Sequence, residues 1–123
     1  MDVLTGRVAR ILYAAPMGVF GLFHFMNANG MAGMVPIPGG VFWVYLTGLG
    51  LLAACVSIII GKKARLAALL LGVMLAIFAL SIHLPGMFSA ASEQAAQAST
   101  ASFLKDIALA GAAFLIAGIS SDD

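Results

Sequence analysis

Polar residues in this chain come in short clusters, and four long apolar runs lie between them. The runs cover about residues 8–28, 40–60, 65–84 and 103–119. Three of them are about 20 residues long, enough at about 1.5 Å per residue to cross a hydrocarbon core of about 30 Å. The fourth is shorter and requires Lys105 to snorkel or the bilayer to thin locally. The pattern predicts an all-α fold, a polytopic transmembrane four-helix bundle forming a single membrane domain over residues 1–123. Arg7 and Arg10 before the first run resemble the charged start of a signal peptide. That run is too long for a signal-peptide core and no small-x-small cleavage site closes it, so it reads as a spanning helix.

The connections between runs set the direction. Arg7, Arg10, Lys62, Lys63 and Arg65 fall before the first run or between the second and third, and Lys105 alone falls on the other side. The positive-inside rule then expects both termini in the cytoplasm, in a cell inner membrane. Residues 31–40 (MAGMVPIPGG) are uncharged and interrupted by Pro36 and Pro38, so they form an outer connection that cannot be helical throughout. Residues 89–102 are rich in Ala, Ser and Gln and give too little periodicity to choose between a surface helix and a loop. Ser102 is the expected N-cap of the fourth helix, which puts Asp106 near the first turn, where it would complement the helix dipole. Gly61-Lys62-Lys63 predicts a tight turn between antiparallel second and third helices.

Composition removes the soluble alternatives. The chain has 123 residues, 63% hydrophobic and 9% charged, with a mean hydropathy of +1.10. A soluble domain carries roughly 45–50% apolar and 25% charged residues. No room remains between the spans for a catalytic globule; the net charge of +1 says nothing of partners, and no basic stripe points to nucleic acid. The expected partners are the lipid bilayer and either a subunit of a membrane complex or further copies of the chain. Cys55 is the single cysteine, so neither an intramolecular disulfide nor a CxxC pair exists; it reads as a small packing residue.

Small residues at four-residue spacing allow helices to approach closely in a solvent that does not push them together. The third run carries Ala64, Ala68, Gly72 and Ala76, the second Gly50 and Ala54, the first Ala14 and Gly18, and the fourth Ala113 and Ala117. Pro16 should kink the first helix and free the carbonyl of Leu12. Trp43, Tyr45 and Tyr13 read as interface anchors.

Few side chains within the runs can do chemistry. His24 and His83 stand out, because ionisable groups inside a membrane are costly and mark function by default. Both fall toward the outer ends of helices that run the same way, and Asn27 shares the His24 face at helical spacing. His24, His83 and Asn27 are therefore the candidate cofactor-binding residues; no catalytic residue and no metal site is assigned. Three ligands are considered beside plain packing. A quinone ranks first, since a neutral imidazole both donates to and accepts from carbonyl and hydroxyl groups. A haem held by both imidazoles ranks second, because a small bundle has little room for a porphyrin. Copper(I) on Met26, Met31, Met34 and Met87 ranks third. No span is expected to bury an acid, and Gly/Pro interruptions are not paired between the halves, which argues against a transporter.

The pattern resembles the DoxX family of small prokaryotic membrane proteins. The resemblance is carried by Arg7 and a glycine-bearing first helix ending in GLFHF (21–25), then by a proline-containing outer connection. It continues through YLTGLGLLAACVSIIIGKKARLAALLL (45–71) and FLKDIALAGAAFLIAG (103–118), covering nearly the whole chain. It implies four spans and a link to respiratory or thiol redox chemistry, the founding members being associated with quinol and thiosulfate oxidation. Many members carry an acid in the second helix where Thr47 and Gly48 stand here. Together these readings point to a small subunit or accessory protein of a quinone-linked redox system. The alternative is a non-enzymatic scaffold that binds partners through its small-residue faces.

Overall fold

The computed structural model describes residues 3–33 and 38–120 of the chain. Among the described residues the fold is all helix. Four helices are long and apolar enough to cross a membrane: α1 (Leu4–Met26), α3 (Gly40–Ile60), α4 (Ala64–Ser89) and α5 (Glu93–Ile119). A short helix, α2 (Ala28–Ala32), follows α1 and packs on α3. At most 28% of any span's apolar window is buried inside the chain, so most of each span's surface is left for lipid or a partner. The chain is a multi-pass membrane protein. Met34 and Pro36, which figure in the copper reading and the outer connection, lie outside the described residues.

The ends of the helices follow from local chemistry. Gly61 ends α3 in the left-handed conformation (φ 77°), and Lys63 adopts the same region (φ 54°) before α4 begins, giving the tight turn expected there. The fourth helix starts well before its predicted point. Ser92, not Ser102, is the N-cap, its Oγ accepting from the Ala95 amide at 3.1 Å, with Glu93 at the positive end of the dipole. Residues 93–102 are mostly Ala and Gln, with strong helix propensity and no apolar stripe, so they extend the span without announcing it by periodicity.

Helix α4 also runs past its predicted end, through Pro85. Proline lacks an N–H and its ring collides with the carbonyl four residues back. The helix accommodates it by widening into a π-helical turn over Ala79–His83, in which the Leu84 amide reaches the Ala79 carbonyl. Pro16 likewise lies inside α1, which stays continuous around it.

Packing divides the four spans into two close pairs. Gly18 lies against Cys55 and Gly21 against Gly48, so α1 and α3 run antiparallel. Gly72 lies against Phe114, His83 against Asp106 and Gly86 against Ser99, so α4 and α5 also run antiparallel. Contact between α3 and α4 is less extensive than within either pair. A core of small and larger apolar residues from all four spans joins the pairs, centred on Ala14, Met17, Ala54, Ile58, Ala68, Leu71, Ala110 and Ala113. The expected seams on α1, α4 and α5 are buried at Ala14, Gly18, Ala64, Ala68, Gly72, Ala113 and Ala117. On α3 the seam differs: Gly48 and Ala54 are buried, whereas Gly50 is exposed with open space around it. Gly48 is the residue whose register faces α1.

With this topology Arg7, Arg10, Lys62, Lys63 and Arg65 gather at one end of the bundle, the basic end, and His24 and His83 lie toward the far end. Tyr13 is not an interface anchor: its hydroxyl donates to the Leu109 carbonyl at 2.6 Å and ties α1 to α5. Tyr45 stacks on Phe25 (centroids 5.6 Å apart), and the Trp43 indole donates to the Pro38 carbonyl at 2.6 Å.

The close α1–α3 contact is testable. A Cβ at Gly21 would stand 2.9 Å from the Gly48 carbonyl oxygen, and one at Gly48 would stand 2.9 Å from the His24 Cβ and 3.0 Å from the Gly21 carbonyl oxygen. Gly21→Ala and Gly48→Ala are each expected to lower stability by about 1–3 kcal/mol. Gly111→Ala, where nothing lies within 4 Å, should not lower it. Denaturant titration in micelles, followed by circular dichroism, measures all three.

A buried histidine–aspartate pair between two spans

The strongest polar feature joins α4 to α5. His83 Nε2 and Asp106 Oδ2 are 3.0 Å apart, with side chains 20% and 8% exposed. Asp106 is the one buried charged residue among those described, and it lies midway along α5. This overturns two expectations from the sequence. Asp106 is not a first-turn residue serving the helix dipole, and a span does carry a buried acid. The signal was present, since an acid within an apolar run is costly by itself. Placing the helix start at Ser102 explained it away.

Each element has a reason to put these groups together. The π turn ends at His83, so it sets the direction in which the imidazole leaves α4. Gly72 admits the Phe114 ring and Gly86 admits Ser99, letting α5 lie close along α4 on both sides of the pair. In lipid an unpaired carboxyl or imidazole has no water to turn to, so their mutual hydrogen bond is the way both groups are accommodated.

Neighbouring Lys105 points another way around α5. Its ammonium lies 5.0 Å from the centroid of the Phe20 ring on α1, a cation–π contact. Consecutive residues of α5 thus reach two different helices, an acid to α4 and a base to α1. The Tyr13–Leu109 hydrogen bond joins α1 and α5 further toward the basic end.

The other predicted site residues sit elsewhere. His24 Nδ1 is 2.6 Å from the Phe20 carbonyl of its own helix; a carbonyl only accepts, so Nδ1–H donates and Nε2 is left as the acceptor of the neutral ring. Its Cβ packs beside Gly48 of α3. Asn27, the C-cap of α1, donates from its side-chain amide back to the Phe23 carbonyl at 3.2 Å and is exposed. No interaction among the described residues joins His24 to His83: one packs against α3, the other is bonded to α5. Met26 is exposed, and no group of three His, Cys, Asp or Glu that could hold a metal occurs among the described residues. Cys55 is half-buried against Gly18, filling space between α1 and α3.

Chemically, the pair holds a transferable proton. With the shared proton on the carboxyl oxygen or on Nε2, the imidazole can carry a second proton on Nδ1, where it has no hydrogen bond among the described residues. Compared with family models, with curated proteins and with solved structures, the chain matches none.

A double-mutant cycle measures what the pair contributes to folding. His83→Ala, Asp106→Ala and the double variant, unfolded in micelles, are expected to give a coupling of about 0.6–1.7 kcal/mol, the scale of hydrogen bonds between membrane helices. A coupling near zero would show that the two side chains do not depend on each other.

Proposed function

We propose that the chain is a small DoxX-like subunit or accessory protein of a quinone-linked redox system in the cytoplasmic membrane. Both termini and the basic end face the cytoplasm. The lipophilic ligand site lies toward the outer ends of α1 and α4, with the His83–Asp106 pair as its proton-handling group. The observation that carries this reading is the 3.0 Å bond between an imidazole and a carboxyl inside the spans. Reduction of a quinone adds protons at its carbonyl oxygens, and a group that delivers them within lipid must be ionisable, sheltered and able to refill. The pair meets those needs. With electrons supplied by the redox partner, Nδ1–H of His83 would give its proton toward a quinone carbonyl oxygen, the proton shared with Asp106 would move onto Nε2, and the carboxylate would be left to accept another. His24, whose Nε2 is an acceptor, and Asn27 lie apart from the pair at the same end of the bundle, and are assigned to the α1 side of the site.

The residues fit a quinone better than a haem. Asp106 occupies Nε2 of His83, and axial ligation by both histidines would require a convergence that their separate helix partners do not supply. A second reading, a non-enzymatic assembly subunit, draws on the outward glycines of α5, Gly111 and Gly118, around which nothing lies within 4 Å. A partner helix could approach closely there.

Quinone binding by the purified protein tests the leading reading. Loss of one hydrogen bond of about 1–1.5 kcal/mol corresponds to roughly a tenfold change in affinity, which is the drop expected for His83→Ala and Asp106→Asn. Unchanged affinity in both His24→Ala and His83→Ala would sink the quinone site. An absorbance spectrum without a Soret band is expected; such a band would bring haem back. Orientation is measured separately in a Cys55→Ala background. An impermeant maleimide applied to whole cells should label Glu93→Cys and spare Lys62→Cys, and the reverse pattern would invert the topology.

A further inference from the structure

Between α3 and α4, in the half of the bundle nearest the basic end, lies a groove of about 270 Å³. Gly50, Ala53 and Ser57 form one wall, Ala67 and Leu70 the other, and Lys63 stands at its mouth. We propose that this groove binds one acyl chain of an anionic phospholipid, whose phosphate is held at the mouth by Lys63 and Lys62.

Four observations lead there. First, the groove exists because these two spans meet less closely than the spans within either pair, and because the α3 wall is made of small side chains. Gly50 in particular packs against no helix and leaves open space. Second, Gly50, Ala53, Leu66 and Leu70 are exposed, so the groove faces outward from the bundle within the spans, where lipid chains are the solvent and an empty slot would forfeit contacts. Third, the size selects part of a lipid. Pockets that enclose a drug-sized molecule run from about 300 to 1,000 Å³, so this slot admits a single chain and excludes a ring system with its headgroup. Its length fits as well: from Gly50 to Ser57 the helix rises about 10 Å, within the roughly 15 Å of one leaflet.

Fourth, the charge is all at one end. Lys63 lines the mouth and Lys62 precedes it, both exposed, while the remaining walls carry no ionised group. The first turn of α4 contains no acidic residue that would cancel them. Basic residues where helices meet the membrane surface select anionic headgroups, at an energy that makes two lysines worth roughly a 30-fold preference. The site is independent of the His83–Asp106 pair, which lies in the other half of α4, so either reading can fail without the other.

Native mass spectrometry of the full chain in mild detergent tests the proposal, using phosphatidylglycerol and phosphatidylcholine with matched chains. The wild type is expected to retain one phosphatidylglycerol, roughly 30-fold more strongly than phosphatidylcholine. The Lys62→Gln, Lys63→Gln double variant should lose that preference and hold both lipids alike. Gly50→Leu fills the slot from a position with nothing within 4 Å, and should lose the retained lipid while keeping its helical circular dichroism. Gly111→Leu, equally open but on α5, should retain lipid as the wild type does. Equal retention of the two lipids by the wild type overturns the headgroup assignment. Wild-type retention by Gly50→Leu overturns the chain assignment, and a dimer that Gly50→Leu converts to monomer with its lipid intact assigns the groove to a second copy.

Discussion

Helices in lipid receive no hydrophobic push toward one another, and the architecture of this chain depends on what replaces it. Close approach is one substitute. Gly18, Gly21 and Gly48 bring α1 onto α3, and Gly72 and Gly86 bring α4 onto α5. Polar contacts are the other, and they occur both between the pairs and within one of them. Tyr13 to Leu109 and Lys105 over Phe20 join α1 to α5, two helices from different pairs. His83 and Asp106 strengthen a pair that is already close. The fold is thus two tightly packed hairpins joined by a shared core of small residues and a few polar ties.

That division explains where chemistry and lipid can enter. Within a pair the backbones lie so close that a Cβ added at Gly21 would stand 2.9 Å from the Gly48 carbonyl oxygen. Between the pairs the surfaces diverge, and the α3–α4 side opens into a groove floored by alanine and glycine. The polar pair sits within a close contact, so it is sheltered, yet His83 keeps one ring edge without a hydrogen bond among the described residues. Shelter with one free edge is what the proposed proton-handling role requires.

Much of this was legible from local features. Four apolar runs, three of them long enough by themselves, fixed the number of spans, and Gly61 with its lysines fixed the turn between α3 and α4. The Ala64, Ala68, Gly72 spacing marked a face that is indeed buried. What escaped depended on register or on partners distant in the chain. Gly48 and Gly50 are alike in composition, and only the phase of α3 against α1 decides which of them is covered. Asp106 looked like a helix-start residue because residues 93–102 form helix without an apolar stripe. Tyr13 looked like an interfacial ring because its partner, a backbone carbonyl of α5, leaves no trace in side-chain pattern.

The π turn before Pro85 has a bearing on how such a protein can change. A π turn is an α-helix with one residue more than the turn needs, and an α-helix advances about 100° per residue. Removing a single residue between Ala79 and His83 would let the turn close to regular winding while the helix on either side keeps its phase. The same residues wound throughout as regular α-helix would instead carry everything past Ala79 round by about 100°, and the imidazole off the face that meets Asp106. The pairing therefore depends on the helix holding its extra residue in one wide turn, as much as on the identity of its two members.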